Sequence, residues 1–195
     1  MNGFALFDTT IGRCGIAWGE RGVIVVQLPE GSESRTRARL LARCPQASET
    51  RPPADVQRAV DAMVALLAGK PSDLTDVELD LERVEPFDRR VYAIARAIKP
   101  GATLSYGEIA SRLGDRTLAR DVGQSLGRNP FPLVVPCHRV LAAGGKVGGF
   151  SANGGVTTKL RLLSIEGART SDVPTLFDGN RDFGFALKPR RRSAR

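Results

Sequence analysis

The pattern of apolar and polar residues divides the first part of the chain into strands and helices. Apolar runs rich in β-branched residues, and one stretch of strict alternation, are typical of strands, whereas apolar residues three and four apart predict amphipathic helices. The strands are predicted at residues 4–8, 14–18, 23–28 and 77–81, and the helices at residues 34–43 and 55–69. Trp18 is expected to lie in the core of this small α/β unit.

From Pro86 onward the pattern becomes mainly helical. Proline suits the first turn of a helix, and residues 87–98 carry one apolar face. Ser105 and Glu108 have the spacing of a capping box, which predicts the start of a second helix. A third helix is predicted almost immediately afterwards, over residues 117–127, so the two short helices form a helix-turn-helix pattern.

These elements predict an α+β protein in three parts. Residues 1–84 would form an N-terminal α/β domain, and residues 85–167 a mostly helical domain that ends in a helix over 156–166. Residues 168–195 have few apolar anchors and many basic residues, so they are predicted to be a disordered basic tail.

Composition and charge narrow the cellular setting without identifying the function. The net charge of the 195 residues is +8, but five of the positive charges lie in residues 188–195, which leaves +3 for residues 1–187. This makes nucleic acid a plausible partner and no more. No apolar run approaches the ~20 residues of a membrane span, and no signal-peptide pattern begins the chain, so a cytoplasmic protein without a membrane partner is expected. The three cysteines are an odd and sparse set that implies no disulfide framework, and their long spacings together with a single histidine argue against a zinc site.

The candidate chemistry lies in residues 129–140, where Cys137 is followed directly by the only histidine, His138. Pro136 restricts the residue before it to an extended conformation, which predicts that Cys137 stands at the end of a short strand. A thiol attacks as its thiolate, and a neighbouring imidazole is able to take the proton. The pair by itself is more often a buried structural cysteine beside a surface histidine.

Six glycines follow the cysteine within residues 144–155, and they flank Phe150 and Ser151. Glycine allows a backbone to approach a ligand closely. A flexible hairpin explains the first two glycines, but it explains less well an aromatic residue set between further glycines. The segment therefore favours a pocket wall next to the cysteine.

Six groups of residues, in this order, resemble the methylated-DNA–protein-cysteine methyltransferases, a family of DNA repair proteins. The groups are Ser105-Tyr106-Gly107, Arg120-Asp121-Val122-Gly123, Asn129-Pro130, Val135-Pro136-Cys137-His138-Arg139-Val140, Gly148-Gly149-Phe150-Ser151, and Lys159 with Leu162, Leu163 and Glu166. The resemblance covers about residues 4–167, and its most specific part is the string around Cys137. It implies a ribonuclease H-like N-terminal domain followed by a winged helix-turn-helix domain that carries the cysteine.

The resemblance also implies a reaction and a role for each matching residue. The family removes alkyl groups from guanine O6, and from thymine O4, after the base is flipped out of the duplex. Cys137 would attack the alkyl carbon, His138 would take the thiol proton through a water molecule, and Glu166 would orient the imidazole. Tyr106 would rotate the nucleotide and donate a proton to the guanine, and Arg120 would fill the vacated stack.

The remaining matching residues would shape the pocket and the DNA interface. Asn129 would hold the segment that carries the cysteine. The substrate-binding residues implied are Val140, Phe150 and Ser151, and the DNA-binding residues are Tyr106, Arg120, Gly123 and Arg128. The partner implied is double-stranded DNA that contains O6-alkylguanine, bound by a monomer without a cofactor or a metal. No residue is present to hydrolyse a thioether, so each molecule is expected to react once.

The sequence departs from the family pattern at four places. Phe150 stands where tyrosine is more usual, and Asp121 is acidic on the helix that faces DNA. The turn at residues 114–116 lacks a proline. The loop between Phe150 and Lys159 is about two residues longer than usual by the same resemblance, which suggests a pocket that admits bulkier alkyl groups.

Three other functions share parts of this pattern. Alkyltransferase-like proteins bind lesions but lack the cysteine, so the presence of Cys137 favours a repair methyltransferase over an alkyltransferase-like protein. A winged-helix regulator accounts for residues 86–128 but not for a Cys-His pair beside a glycine-rich segment. A thiol hydrolase accounts for the Cys-His pair but requires no helix-turn-helix before it.

Overall fold

The computed structural model describes residues 2–168, which form a mixed α+β structure. Six strands lie at β1 Gly3–Thr9, β2 Gly12–Gly19, β3 Gly22–Gln27, β4 Ser48–Glu49, β5 Leu104–Ser105 and β6 Val140–Leu141. Six α-helices lie at α1 Glu33–Arg43, α2 Ala54–Leu67, α3 Pro86–Arg96, α4 Tyr106–Arg112, α5 Ala119–Gly127 and α6 Gly155–Ile165. Short 3-10 turns precede α5 at Arg116–Leu118 and follow Pro136 at Cys137–Arg139.

A four-stranded sheet in the order β3-β2-β1-β4 organises the first half of the chain. β1 pairs antiparallel with β2 from Gly3↔Trp18 to Thr9↔Gly12, and β2 pairs antiparallel with β3. Successive residues of β2 point to opposite faces, because side chains alternate along a strand. Ile16 therefore packs in the large cluster with α2, whereas Ala17 packs with Leu40 of α1. Trp18 is buried in the large cluster, so its predicted place in the core is confirmed.

The strand predicted at residues 77–81 is wrong, because only one isolated bridge, Val23↔Leu79, forms there. Val23 donates to Glu78 O at 2.9 Å and accepts from the N–H of Asp80 at 2.8 Å. The ladder does not continue along β3, because the next outward N–H, that of Val26, donates to the carbonyl of Pro130 at 2.9 Å. The edge of the sheet is thus shared between the 77–81 segment and the loop that leads to Cys137.

The second half agrees closely with the predicted helices. α3 begins at Pro86, and Ser105 and Glu108 form both bonds of a capping box at the start of α4. The predicted helix over 117–127 is divided, because Asp115 caps a 3-10 turn before α5 begins. The last helix begins one residue earlier than predicted, at Gly155.

One hydrophobic cluster connects the two halves of the described chain. It contains Ile16 and Met63 from the first half and Val122, Phe131 and Cys137 from the second. The domain boundary near residue 84 stays a prediction. The predicted tail lies outside the described residues except for Ala168. None of the described helices is long and apolar enough to cross a membrane.

Arg96, in the last turn of α3, connects the helical second half to residues 74–77, near the end of the first half. Its guanidinium donates to the carbonyls of Thr75 at 2.7 Å, Val77 at 2.8 Å and Leu74 at 3.3 Å. Burial lowers the pKa of this guanidinium, and its charge remains because arginine stays protonated far above neutral pH. A single side chain therefore satisfies three carbonyls of a segment that forms almost no regular structure.

We expect Arg96→Ala to lower the free energy of unfolding by about 1–3 kcal/mol, because it leaves partly buried carbonyls without donors. Urea unfolding measures the effect. Arg58, which is exposed on α2, provides a matched control, and Arg58→Ala should change the stability by less than about 0.5 kcal/mol. Equal losses in the two variants would show that Arg96 does not join the halves in this way.

Candidate active site

The segment before Cys137 is a compact coil, so the predicted short strand is wrong. Asn129 closes the coil at both ends: its Oδ1 accepts from the N–H of Phe131 at 2.9 Å, and its Nδ2 donates to Val135 O at 2.8 Å. Val135 N–H donates to Phe131 O at 2.7 Å within the coil. The prolines at 130, 132 and 136 have no N–H, which prevents a continuous strand ladder.

Leu133 shows how tightly this coil is constrained. Its φ is +75°, and Leu133 is the one non-glycine residue with positive φ in the described chain. A branched side chain is strained in this region, at a cost of about 1 kcal/mol or more. Leu133 is 1% exposed and packs in the large cluster, so burial offsets the strain.

Cys137 begins the 3-10 turn and is buried, with 8% of its surface exposed. Burial raises the pKa of its thiol, whereas hydrogen bonding from Asn129 and the nearby charge of Lys159 lower it. The raising effect is larger, so the thiol is protonated at neutral pH. A base is therefore needed to generate the thiolate.

His138 lies against Glu166, with Nε2 and Oε1 2.9 Å apart, and the imidazole is 1% exposed. Burial lowers the pKa of His138 although Glu166 opposes the shift. Hydrogen bonds from His138 and Arg139 hold the pKa of Glu166 at about 2, against the opposing effect of burial, so this carboxylate is ionised and only accepts. Nε2 must then carry the proton, which leaves Nδ1 as the acceptor that a base requires.

Arg139 completes this arrangement, although its role was missed at the sequence level. Its Nε donates to Glu166 Oε2 at 2.8 Å and one Nη to Oε1 at 2.8 Å, while the other Nη donates to Ile98 O at 2.5 Å. The two parallel bonds form a bidentate pair, which fixes the plane of the carboxylate. The signals in the sequence were its adjacency to the Cys-His pair and its place in the matching string around Cys137.

Lys159 is the second candidate whose role was missed. It is among the matching residues, but no role was assigned to it from the sequence. It is 0% exposed, and its Nζ donates to Val140 O at 2.6 Å and to Gly149 O at 3.4 Å. Burial lowers the pKa of Lys159 to about 8, and the charge of Cys137 as a thiolate opposes the shift. A positive charge beside Cys137 favours the thiolate once it forms.

Tyr106, the first residue of α4, is half-buried near Lys159 and Cys137, where the sequence predicts a pocket. The Lys159 Nζ lies 5.9 Å from the centre of its ring. A Cβ atom at Gly148 would lie 3.5 Å from the Tyr106 ring and one at Gly123 would lie 3.8 Å from it, which are ordinary contact distances, so the ring lies directly beside both glycines. Gly148 also has a φ of +70°, a conformation that favours glycine.

A two-residue parallel ladder connects Tyr106 to Cys137 through the backbone. Leu104 pairs with Val140 and Ser105 with Leu141, so β5 leads directly into α4 and β6 follows directly after the 3-10 turn. Val140 is buried. The ladder therefore brings the predicted tyrosine and the predicted nucleophile to one place.

The other predicted site residues are distributed around this pocket. Phe150 is half-buried and packs against the large cluster, whereas Ser151 is exposed in the loop before α6. Arg120 and Asp121 are exposed on the first turn of α5, and Gly123 lies one turn further on. Arg128 points to α3 and pairs with Asp88 at 2.9 Å.

The two buried groups behind Cys137 predict a loss of stability in acid. The pKa of Glu166 is about 2, below its ordinary 4.5, and that of His138 is below its ordinary 6.5. Each group binds fewer protons in the folded than in the unfolded state, so stability falls as the pH falls. The loss should begin below about pH 6.5 through His138 and continue below about pH 4.5 through Glu166, whose share is about 3 kcal/mol.

Urea unfolding of the wild type and Glu166→Gln at several pH values measures this dependence. The variant should be less stable at neutral pH and lose less on acidification below about pH 4.5. The exposed Glu78 provides a matched control, and Glu78→Gln should follow the wild-type curve. An acid dependence of Glu166→Gln identical to that of the wild type would contradict the prediction.

Comparisons with known proteins agree with the geometry of this site. The family described as 6-O-methylguanine DNA methyltransferase, DNA binding domain, matches residues 86–168. The methylated-DNA–protein-cysteine methyltransferase of Methanothermobacter thermautotrophicus is 35% identical over 153 residues, which are 78% of this chain and 78% of that protein. The Mycobacterium tuberculosis protein of the same name is 40% identical over 146 residues, 73% of this chain and 86% of the relative.

Similarity in three dimensions covers most of both halves. The crystal structure of the M. tuberculosis OGT in complex with DNA matches with a TM-score of 0.68 and 35% identity, over 84% of this chain and 92% of that chain. The similarity therefore extends well beyond the residues around Cys137. The chain belongs to the methylated-DNA–protein-cysteine methyltransferase family.

Proposed function

We propose that this protein repairs DNA by transferring the alkyl group of O6-alkylguanine, or of O4-methylthymine, to its own Cys137. The observation that carries the proposal is the arrangement behind the sulfur. The thiol is buried, the next residue is an imidazole oriented by an ionised carboxylate, and the β5–β6 ladder places Tyr106 near the same turn. Family membership supports the same reaction, and the reaction requires no cofactor.

The chemistry is a displacement at the alkyl carbon. A bond forms between Cys137 Sγ and that carbon while the bond from the carbon to guanine O6 breaks, and the guanine keeps the electron pair. His138 takes the thiol proton through a water molecule, and Glu166 accepts from the other side of the imidazole. The hydroxyl of Tyr106 and the N–H of Ser151 donate hydrogen bonds that stabilise the negative charge developing on the guanine.

The electrostatics of the pocket keep the thiol neutral until a substrate is present. Burial raises the pKa of Cys137 and lowers that of His138, so the uncharged pair is favoured at rest. When the proton leaves the sulfur, Lys159 and the amide of Asn129 stabilise the thiolate. These groups are fixed before the reaction and need no reorganisation during it.

DNA would meet the protein along α5, with Arg120 at the exposed first turn and Gly123 next to Tyr106. Contacts to the sugar and phosphate backbone suit a repair protein, because they carry no direct sequence information. Arg120 would take the place of the flipped base. Asp121, exposed next to it, lowers the positive charge of this face.

Other features of the predicted protein belong to this proposal. A ribonuclease H-like first part and a winged helix-turn-helix second part agree with the sheet of residues 3–49 and with the α4–α5 pair. A monomer in the cytoplasm, where thiols stay reduced, suits a buried reactive cysteine. The substrate-binding roles of Val140 and Phe150 are supported by their places beside Lys159 and in the large cluster.

Transfer to Cys137 is tested with duplex DNA that carries labelled O6-methylguanine. We expect one methyl group per protein molecule, located on the Cys137 peptide by mass spectrometry, and no further turnover with excess DNA, because a thioether does not hydrolyse spontaneously. Cys137→Ala should transfer none, whereas Cys14→Ala should retain the reaction, since Cys14 lies on β2 and not in the turn that carries Cys137. Repair of excess DNA by substoichiometric protein would refute the mechanism.

The loop between Phe150 and α6 predicts tolerance of larger alkyl groups. Phe150 packs against the large cluster, but Ser151, Asn153 and Gly154 after it are exposed, so this part of the loop is not covered by other elements. Rates of transfer from O6-methylguanine and O6-benzylguanine in the same duplex are therefore expected to agree within about tenfold, a difference of about 1.4 kcal/mol. A strict preference for methyl would contradict the prediction.

A further inference from the structure

Asp88 is a buried carboxylate that the proposed reaction does not use. It lies in the first turn of α3, and its side chain is 7% exposed. The guanidinium of Arg128 donates hydrogen bonds to this carboxylate: Nη2 to Oδ1 at 2.9 Å, Nη2 to Oδ2 at 3.2 Å and Nε to Oδ2 at 3.3 Å. A carboxylate that is almost fully buried requires such a partner, because an unpaired buried charge is strongly unfavourable.

A second contact fixes the same two helices one turn further along α3. The hydroxyl of Tyr92 donates to the backbone carbonyl of Ser125 in α5 at 3.1 Å. Asp88 and Tyr92 are four residues apart and lie on the same face of α3. The edge of the Tyr92 ring packs against Phe131, with ring centres 6.5 Å apart. α3 therefore holds the C-terminal half of α5 at two points.

We infer that Asp88 and Arg128 form a strut that sets the position of α5, so that Arg128 is a positioning residue and not a phosphate contact. Arg128 is the C-cap of α5, and the opposite end of this nine-residue helix carries Arg120. A small tilt at the strut is therefore transmitted along a rigid helix to the residue that enters the DNA. The inference rests on the proposed function, since it concerns the insertion of α5 into a duplex.

The nucleophile itself is held by other contacts. Asn129 closes the coil before Cys137, and Arg139 fixes the carboxylate behind His138. Breaking the strut should therefore impair the reaction with duplex DNA and spare the reaction with a free base. A direct phosphate contact by Arg128 predicts a different pattern, because Asp88 would then weaken DNA binding by neutralising that arginine.

The experiment compares Asp88→Asn, Arg128→Gln, the double variant and Arg58→Gln, which removes one exposed charge far from the α3–α5 contact. The rate of methyl transfer is measured with an O6-methylguanine duplex and with free O6-methylguanine. Each single variant should lose roughly tenfold in the duplex rate, equal to about 1.4 kcal/mol. The double variant should match the singles, since all three break the same pair, and the free-base rate and Arg58→Gln should stay within about twofold of the wild type.

Binding to an undamaged duplex at several salt concentrations separates the two roles of Arg128. For a strut, the slope of log K against log salt is unchanged in Asp88→Asn and Arg128→Gln. If Arg128 contacts a phosphate, Arg128→Gln reduces the magnitude of this negative slope by about 0.9, and Asp88→Asn binds DNA more tightly. Either result would overturn the inference. Arg128→Lys sharpens the test, because lysine keeps the charge but not the bidentate geometry. A strut predicts a loss close to that of Arg128→Gln, and wild-type behaviour of Arg128→Lys would refute it.

Folding is checked by far-UV circular dichroism at the assay temperature, and the free-base rate serves as an internal control for an intact pocket. If the duplex and free-base rates fall together, the pair supports the nucleophile and the inference is wrong. Failure of the wild type to methylate Cys137 would instead refute the proposed function. The two failures are thus distinguishable.

Discussion

The carboxylate of Glu166 is the group on which the rest of the site depends. It is 3% exposed, and a buried carboxylate is stable only when its charge is compensated by well-oriented donors. His138 and Arg139, which are neighbours in sequence, provide those donors from one 3-10 turn. Because Cys137 begins the same turn, the pairing that satisfies Glu166 also fixes where the sulfur lies. The hydrogen bonds from His138 and Arg139 therefore both compensate the charge of Glu166 and position the proposed catalytic residues.

The coil before Cys137 makes this arrangement possible at the expense of regular structure. Three prolines remove backbone donors, and the side chain of Asn129 replaces part of the lost bonding. Pro130 contributes its carbonyl to the edge of β3, so the first half of the chain supports the coil from outside. The positive φ of Leu133 is held by its burial in the shared cluster. The sheet is thus part of the framework around the nucleophile although it contains no residue assigned to the chemistry.

Periodicity was sufficient to predict the helices and the first three strands, because each of these buries one continuous apolar face. It failed at residues 77–81, because Pro130 O, which is distant in sequence, accepts the next hydrogen bond from the edge of β3. It also failed before Cys137, because the side chain of Asn129 provides hydrogen bonds that a strand would take from a neighbouring backbone. The motif predicts roles for Cys137, His138 and Glu166, which stay predictions, but it predicts none for Arg139, Lys159 or Asp88. Their partners are 27, 19 and 40 residues away in sequence, and no local pattern records such pairs.

The raised pKa of Cys137 has a further consequence for a protein that reacts once. Oxidants, like alkylating lesions, react with the thiolate, and exposed thiolates progress to sulfenic and higher acids. A molecule whose thiol is oxidised as far as the sulfinic or sulfonic acid before it meets a lesion is lost to repair. Burial that keeps the sulfur protonated therefore slows oxidation of the thiol and preserves its ability to accept an alkyl group.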